Sequence, residues 1–201
     1  MKYFLDTEFI EDGKTIDLIS IAIVSDSEAS QTKDRTLYLQ NLECDFSKAS
    51  DWVWRNVFPH LTHFDMRGNR SCFEQSLTYD SGLGHSRMTR CGPECVWATR
   101  QEIMGAVLGF CSVQEFGEPE FWGYYADYDW VAFCQLFGSM IALPKGFPMY
   151  CRDIKQWCDL LGNPDLPKQG KDEHSALLDA QWNKKTWQFL DDIASGKQNP
   201  L

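Results

Sequence analysis

The sequence predicts a mixed α/β fold, with three antiparallel strands, then parallel strands, in one sheet flanked by helices. Three observations carry this reading. Two apolar stretches near the start are separated by a turn signal, and a third, alternating stretch follows them. Beyond residue 99, helical patterns alternate with short extended ones. That order makes the later strands join by helical crossovers, which run parallel.

Taken in order, residues 2–9 read as a short strand and residues 16–24 as a nearly continuous Ile-rich run suited to a buried strand. Glu11-Asp12-Gly13-Lys14 between them is a hairpin signal. Residues 35–40 alternate as a third strand. Residues 47–58 read as a helix stopped by Pro59, and residues 64–98, rich in Gly, Ser, Arg and Cys, read as an insertion without periodicity. A helix is expected over 99–112, a core strand over 120–125 and a helix from 129 to Gly138. A Pro-rich turn over 143–148 leads to a short strand near Met149–Cys151. Helices over Asp153–Leu161 and Ser175–Ile193 complete the chain, separated by a loop at 163–172. The 201 residues fit a single domain, with 43% hydrophobic and 14% aromatic residues.

Charge narrows the function classes. The net charge of −10 argues against a broad basic face for nucleic acid, but not against a protein that holds phosphates through cations bound by clustered carboxylates. No apolar run reaches the length of a membrane span, and the opening residues turn acidic too early for a signal peptide, so a cytoplasmic location is expected. Cys44, Cys111, Cys134, Cys151 and Cys158 are then reduced, packed thiols.

The chemistry-bearing residues come in three groups. Asp6 and Glu8 lie two apart on the first strand, so both side chains share a face, while Leu5, Thr7 and Phe9 point the other way. Paired carboxylates repel unless a cation sits between them, and Mg²⁺ or Mn²⁺ favours such oxygen ligands. The second group is Asp127 or Asp129, at the junction between the strand EFWGYY and an apolar helix, where either could also be a helix cap. The third is His174 with Asp179. Five positions apart in regular helix they would diverge by about 140°, so they can cooperate only if His174 lies in the preceding loop. A loop histidine there can act as a general base near neutral pH. Four such acids can hold two metal ions about 3.5–4 Å apart for phosphodiester hydrolysis.

At these residues the chain resembles the DEDDh exonucleases of the ribonuclease H-like fold, and within them the bacterial polyadenylate-specific 3′-ribonuclease (RNase AS) family. FLDTEFIEDGKTIDLISIAIV (4–24), YDWVAFCQLFGSMIALPKGFP (128–148) and HSALLDAQW (174–182) carry the resemblance, which spans most of the chain outside about 64–98. It implies that Asp6, Glu8, Asp129 and Asp179 hold two Mg²⁺ or Mn²⁺ ions and that His174 is the general base. It favours Asp129 over Asp127. It also implies 3′→5′ removal of nucleotides from single-stranded RNA, a preference for adenylates, and a homodimer. One departure is Tyr125, where many DEDDh enzymes have Asn.

Weaker signals remain. Phe9 and Ser20 are candidate substrate contacts, Phe9 by stacking on the terminal base, with a core role as its alternative. Five of the eight arginines (67, 70, 87, 90 and 100) fall in or beside the insertion, either to contact RNA or as a solvated loop. Cys72, His85, Cys91 and Cys95 are a candidate zinc set, but their irregular spacing favours packed or exposed thiols. Trp52, Trp54, Trp122 and Trp157 read as core or dimer contacts, and Lys168 and Lys171 as solvated loop residues, with steering of a phosphate backbone as their alternative.

Overall fold

The computed structural model describes residues 1–26, 35–62, 64, 96–170 and 173–197. Six strands form one sheet: β1 (Lys2–Glu11), β2 (Ile16–Ser25), β3 (Thr36–Asn41), β4 (Trp97–Ala98), β5 (Glu120–Gly123) and β6 (Arg152–Asp153). Their order is β4-β3-β2-β1-β5-β6. The β1–β2 and β2–β3 pairs are antiparallel, and the β3–β4, β1–β5 and β5–β6 pairs are parallel. Among the described residues six α-helices accompany it: α1 (Asp51–Asn56), α2 (Arg100–Phe110), α3 (Val113–Phe116), α4 (Asp127–Leu136), α5 (Ile154–Leu160) and α6 (Ala176–Ala194).

The hairpin forms for local reasons. Asp12 Oδ1 accepts from the backbone N–H groups of Lys14 at 2.9 Å and Thr15 at 2.7 Å, while Gly13 takes a φ of 81°. Alternation along β1 then divides the core. Tyr3 and Leu5 pack with Ile103 and Val107 of α2 and Phe133 of α4. Phe4 packs on the other face with Ile154 of α5 and Ala180 and Trp187 of α6. Central β2 is covered on both sides, which explains its unbroken apolar run. A third cluster joins Ile10 and Ile19 to Val53, Phe58 and Trp97. The pairing slips between Glu8 and Phe9, where Ser20 faces Glu8 and Leu18 faces Phe9, so Ile19 is passed over as a bulge.

Several expectations need correction. The helix expected over 47–58 is only α1, between 3₁₀ turns at Phe46–Lys48 and Phe58–His60. Asp45 caps the first turn, Ser50 Oγ caps α1 by accepting from Val53 N at 3.3 Å, and Pro59 lies inside the second turn. The strand expected at Met149–Cys151 is instead Arg152–Asp153, in parallel register with Trp122 and Gly123. Helix α4 begins two residues before the expected start. The expected insertion over 64–98 lies largely outside the described residues, with its Cys and His set and Arg67, Arg70, Arg87 and Arg90. Its end is not loop: Trp97 and Ala98 form β4 beside Gln40 and Asn41, and Phe64 joins the aromatic cluster around Phe46, Phe58 and Trp97. Two residues are too few to show a period in sequence.

Among the described residues no helix is long and apolar enough to cross a membrane.

Candidate functional site

Three acids from the two ends of the chain meet at the edge of the β1 face covered by α6. A carboxylate oxygen of each of Asp6, Glu8 and Asp179 lies within 4.8 Å of the others. Asp6 and Glu8 reach this face by strand alternation. Asp179 arrives in the first turn of α6, which lies across β1 and is tied to it by Asn183 Nδ2 donating to Leu5 O at 3.0 Å.

Asp129, in the first turn of α4, is not part of this trio. Thr7, between the two strand acids, points toward α4 and fixes it: the Thr7 backbone N–H donates to Asp129 Oδ1 at 2.7 Å and the Thr7 hydroxyl at 2.6 Å. Asp129 is buried and Asp127 is exposed, so the junction acid that faces the strand is Asp129. The start of α4 is set by a close approach. A Cβ on Gly123 would lie 2.8 Å from Ala126 Cβ and 3.3 Å from Leu5 O. Tyr125, in the left-handed region at φ 54°, makes the turn between strand and helix. Asn tolerates that conformation better than Tyr, which gives the departure at this position a backbone meaning.

The acids are electrostatically coupled. Burial holds Asp6 well above the usual carboxylate range, and Asp129, Glu8 and Asp179 push it further. Burial, then Asp179 and Asp129, raise Glu8 from 4.5 to about 8. Burial raises Asp129 to about 6, against the two hydrogen bonds from Thr7. Asp179 is raised by burial and pulled down by hydrogen bonds from Gln169 and the His174 backbone. Mutual repulsion in a partly dry place, with donors on only some oxygens, is a set suited to a cation.

His174 lies in the loop before α6, as cooperation with Asp179 requires. Its φ of 70° is unusual for a residue with a side chain, and it turns the backbone N–H onto Asp179 Oδ2 at 2.9 Å. The imidazole packs edge-on against Trp52, ring centroids 4.7 Å apart. Asp6, Asp179, His174 and Gln169, with Tyr124 and Trp182, line an open cleft of about 160 Å³. A larger cavity of about 350 Å³, by Phe121, Phe147, Tyr150 and Arg152, contains none of the five candidate catalytic residues.

The two candidate substrate contacts are placed differently. Phe9 is half-buried, its ring 5.6 Å from that of Tyr128, which is itself exposed on α4. Ser20 faces Glu8 in register and is only 1% exposed. Sequence reasoning passed over three positioning groups. Thr7 was legible only as the odd member between two acids. Gln169 sits in a loop with no pattern. Asp153 accepts from Ala126 N and from Gln156 N, both at 2.8 Å, so one carboxylate caps α5 and pins the start of α4.

No family model matches the chain. Two relatives are similar along almost their whole length: the 3′-5′ exoribonucleases Rv2179c, from Mycobacterium tuberculosis strain H37Rv, and MT2234.1, from strain CDC 1551. Each is 31% identical over 199 residues, covering 98% of this chain and 98% of the relative.

Proposed function

The chain belongs to the family of these 3′-5′ exoribonucleases, and from that premise we propose that it removes nucleotides one at a time from the 3′ ends of single-stranded RNA by metal-dependent hydrolysis. The observation that carries the reading is the meeting of Asp6, Glu8 and Asp179 within 4.8 Å, with Asp129 held alongside by Thr7.

The residues fit Mg²⁺ or Mn²⁺. The donor set is anionic and all oxygen, as hard divalent cations favour. Asp6, Glu8, Asp129 and Asp179 would hold two ions. When bound, such ions polarise the scissile phosphate, acidify the attacking water and stabilise the leaving oxygen. The protein supplies the rest. Thr7 fixes the Asp129 carboxylate. The bent backbone at His174 aims its N–H at Asp179 and leaves its imidazole at the mouth of the cleft. There an imidazole nitrogen accepts the proton of the attacking water. This assignment makes the chain a DEDDh enzyme. The resemblance in the three motifs supports the polyadenylate-specific branch, and with it an adenylate preference, a homodimer and one exonuclease domain.

The test is cleavage of 5′-labelled single-stranded RNA and DNA of matched sequence, ending in A or C, with Mg²⁺ or Mn²⁺. The expected result is a ladder shortening from the 3′ end, fastest on A-ending RNA and abolished by EDTA or Asp6→Ala. A ladder on DNA alone would keep the chemistry and reject the substrate. Absence of any ladder would reject the reading.

A further inference from the structure

We infer that Gln169 is a positioning residue for Asp179, and through Asp179 for the divalent cation; this rests on the metal-dependent reading above. Asp179 has both carboxylate oxygens engaged. Gln169 Nε2 donates to Oδ1, and the His174 backbone N–H donates to Oδ2. The two donors flank the carboxylate and fix its rotation in the cleft that it shares with Asp6.

The loop that delivers Gln169 is itself anchored. It leaves α5 through Asn163, whose N–H donates to Cys158 O at 3.0 Å, and Leu166 packs into the core cluster of α5 and α6. Trp182 Nε1 then donates to Pro167 O at 2.8 Å. Trp182 lies three residues after Asp179, on the same face of α6. One helix face thus carries both the acid and the anchor of the loop, and Gln169 follows that anchor by two residues.

The residue type suits the task. A lysine here would satisfy Asp179 by an ion pair and would compete with a cation for it. A neutral amide supplies a donor without adding charge. Donors of this kind to ligating groups typically change metal affinity or activity by about 10–100-fold when removed.

The experiment is calorimetric titration of metal-free protein with MnCl₂, alongside kcat and KM on single-stranded RNA and the melting temperature. Gln169→Met keeps the length and loses the donor, and Gln169→Ala is the second variant. Both are expected to weaken Mn²⁺ binding about 10-fold or more. The fall in kcat should be similar, with KM for RNA and melting temperature close to wild type. Wild-type Mn²⁺ affinity in Gln169→Met would overturn the inference. So would a raised KM at unchanged Mn²⁺ affinity, because Gln169 would then be an RNA contact. If the wild type itself takes up no Mn²⁺, the metal-dependent reading fails and the inference falls with it.

Discussion

Replacing Glu8 with Gln should stabilise the metal-free protein while destroying its metal-dependent activity. Burial and the neighbouring Asp179 and Asp129 raise the Glu8 carboxyl from 4.5 to about 8. A carboxyl whose pKa rises on folding binds more protons in the native state than in the unfolded one. Its full contribution to stability is present below pH 4.5 and is lost as pH climbs toward 8. At about 1.4 kcal/mol per pH unit, the loss is about 3 kcal/mol at pH 7 and approaches 5 kcal/mol above pH 8. Gln has the same shape and nothing to deprotonate. At roughly 2–4 °C per kcal/mol for a chain of this size, metal-free Glu8→Gln should melt about 6–12 °C above wild type at pH 7. The gap should shrink toward pH 5. Saturating Mg²⁺ should narrow or reverse it, because the wild type gains more from a ligand bound only by the folded state. Differential scanning calorimetry of both proteins in EDTA, from pH 5 to 9, measures this directly. Parallel melting curves across that range, or a variant less stable than wild type at pH 8, would refute the argument that these acids repel one another in the empty fold.

Four further outcomes follow from the same geometry. Thr7→Val removes the hydroxyl bond to Asp129 and should reduce Mn²⁺ affinity or kcat by about 10–100-fold, whereas Thr7→Ser should retain both; titration with MnCl₂ and RNA kinetics distinguish them. His174→Ala should lower kcat by about 10²–10⁴-fold with Mn²⁺ binding intact, and loss of metal binding in that variant would count against the base assignment. His174→Gly should be as inactive as Ala yet more stable by about 1 kcal/mol in urea titrations, since glycine adopts the φ of 70° without strain. Gly123→Ala should lower the melting temperature, because its Cβ meets Ala126 Cβ at 2.8 Å and overpacking of this kind costs about 1–3 kcal/mol.

What was legible in the sequence is what local pattern encodes. The hairpin, β3, α2 and α6 were visible because their apolar spacing runs over several residues. The pair Asp6 and Glu8 was visible because strand alternation fixes their common face. Helix geometry set the condition that His174 could cooperate with Asp179 only from the preceding loop, and the resemblance supplied the pairing. Other features depend on partners distant in sequence. Strand β4 exists only because Val96 O and Ala98 O accept from Gln40 N and Leu42 N on β3, and no period shows in two residues. Asp127 and Asp129 were equal as helix caps in local pattern, and only the resemblance favoured Asp129; the bonds from Thr7 that hold it come from a residue 122 positions away. Gln169 reaches Asp179, ten positions away, from a loop that Trp182 anchors at Pro167, and an unpatterned loop gives no sign of that. The short helix α1 fooled the periodicity because two 3₁₀ turns extend its apolar spacing without its hydrogen bonds.

The distribution of the acids along the chain bears on how the molecule folds and opens. Glu8 and Asp6 enter through a hairpin closed by a four-residue turn, among the quickest structures a chain can form. Asp179 meets them only when α6, about 170 residues further along, docks across β1. Long-range contacts of this kind form late. The share of the repulsion that Asp179 contributes therefore arises only at that docking step, and it is relieved whenever α6 lifts away. In the absence of cations, departure of α6 removes the Asp179 charge from beside both Asp6 and Glu8. Slow hydrogen exchange at α6 amides then becomes a gauge of site occupancy: a filled site should hold them closed longer than the β1–β2 ladder requires.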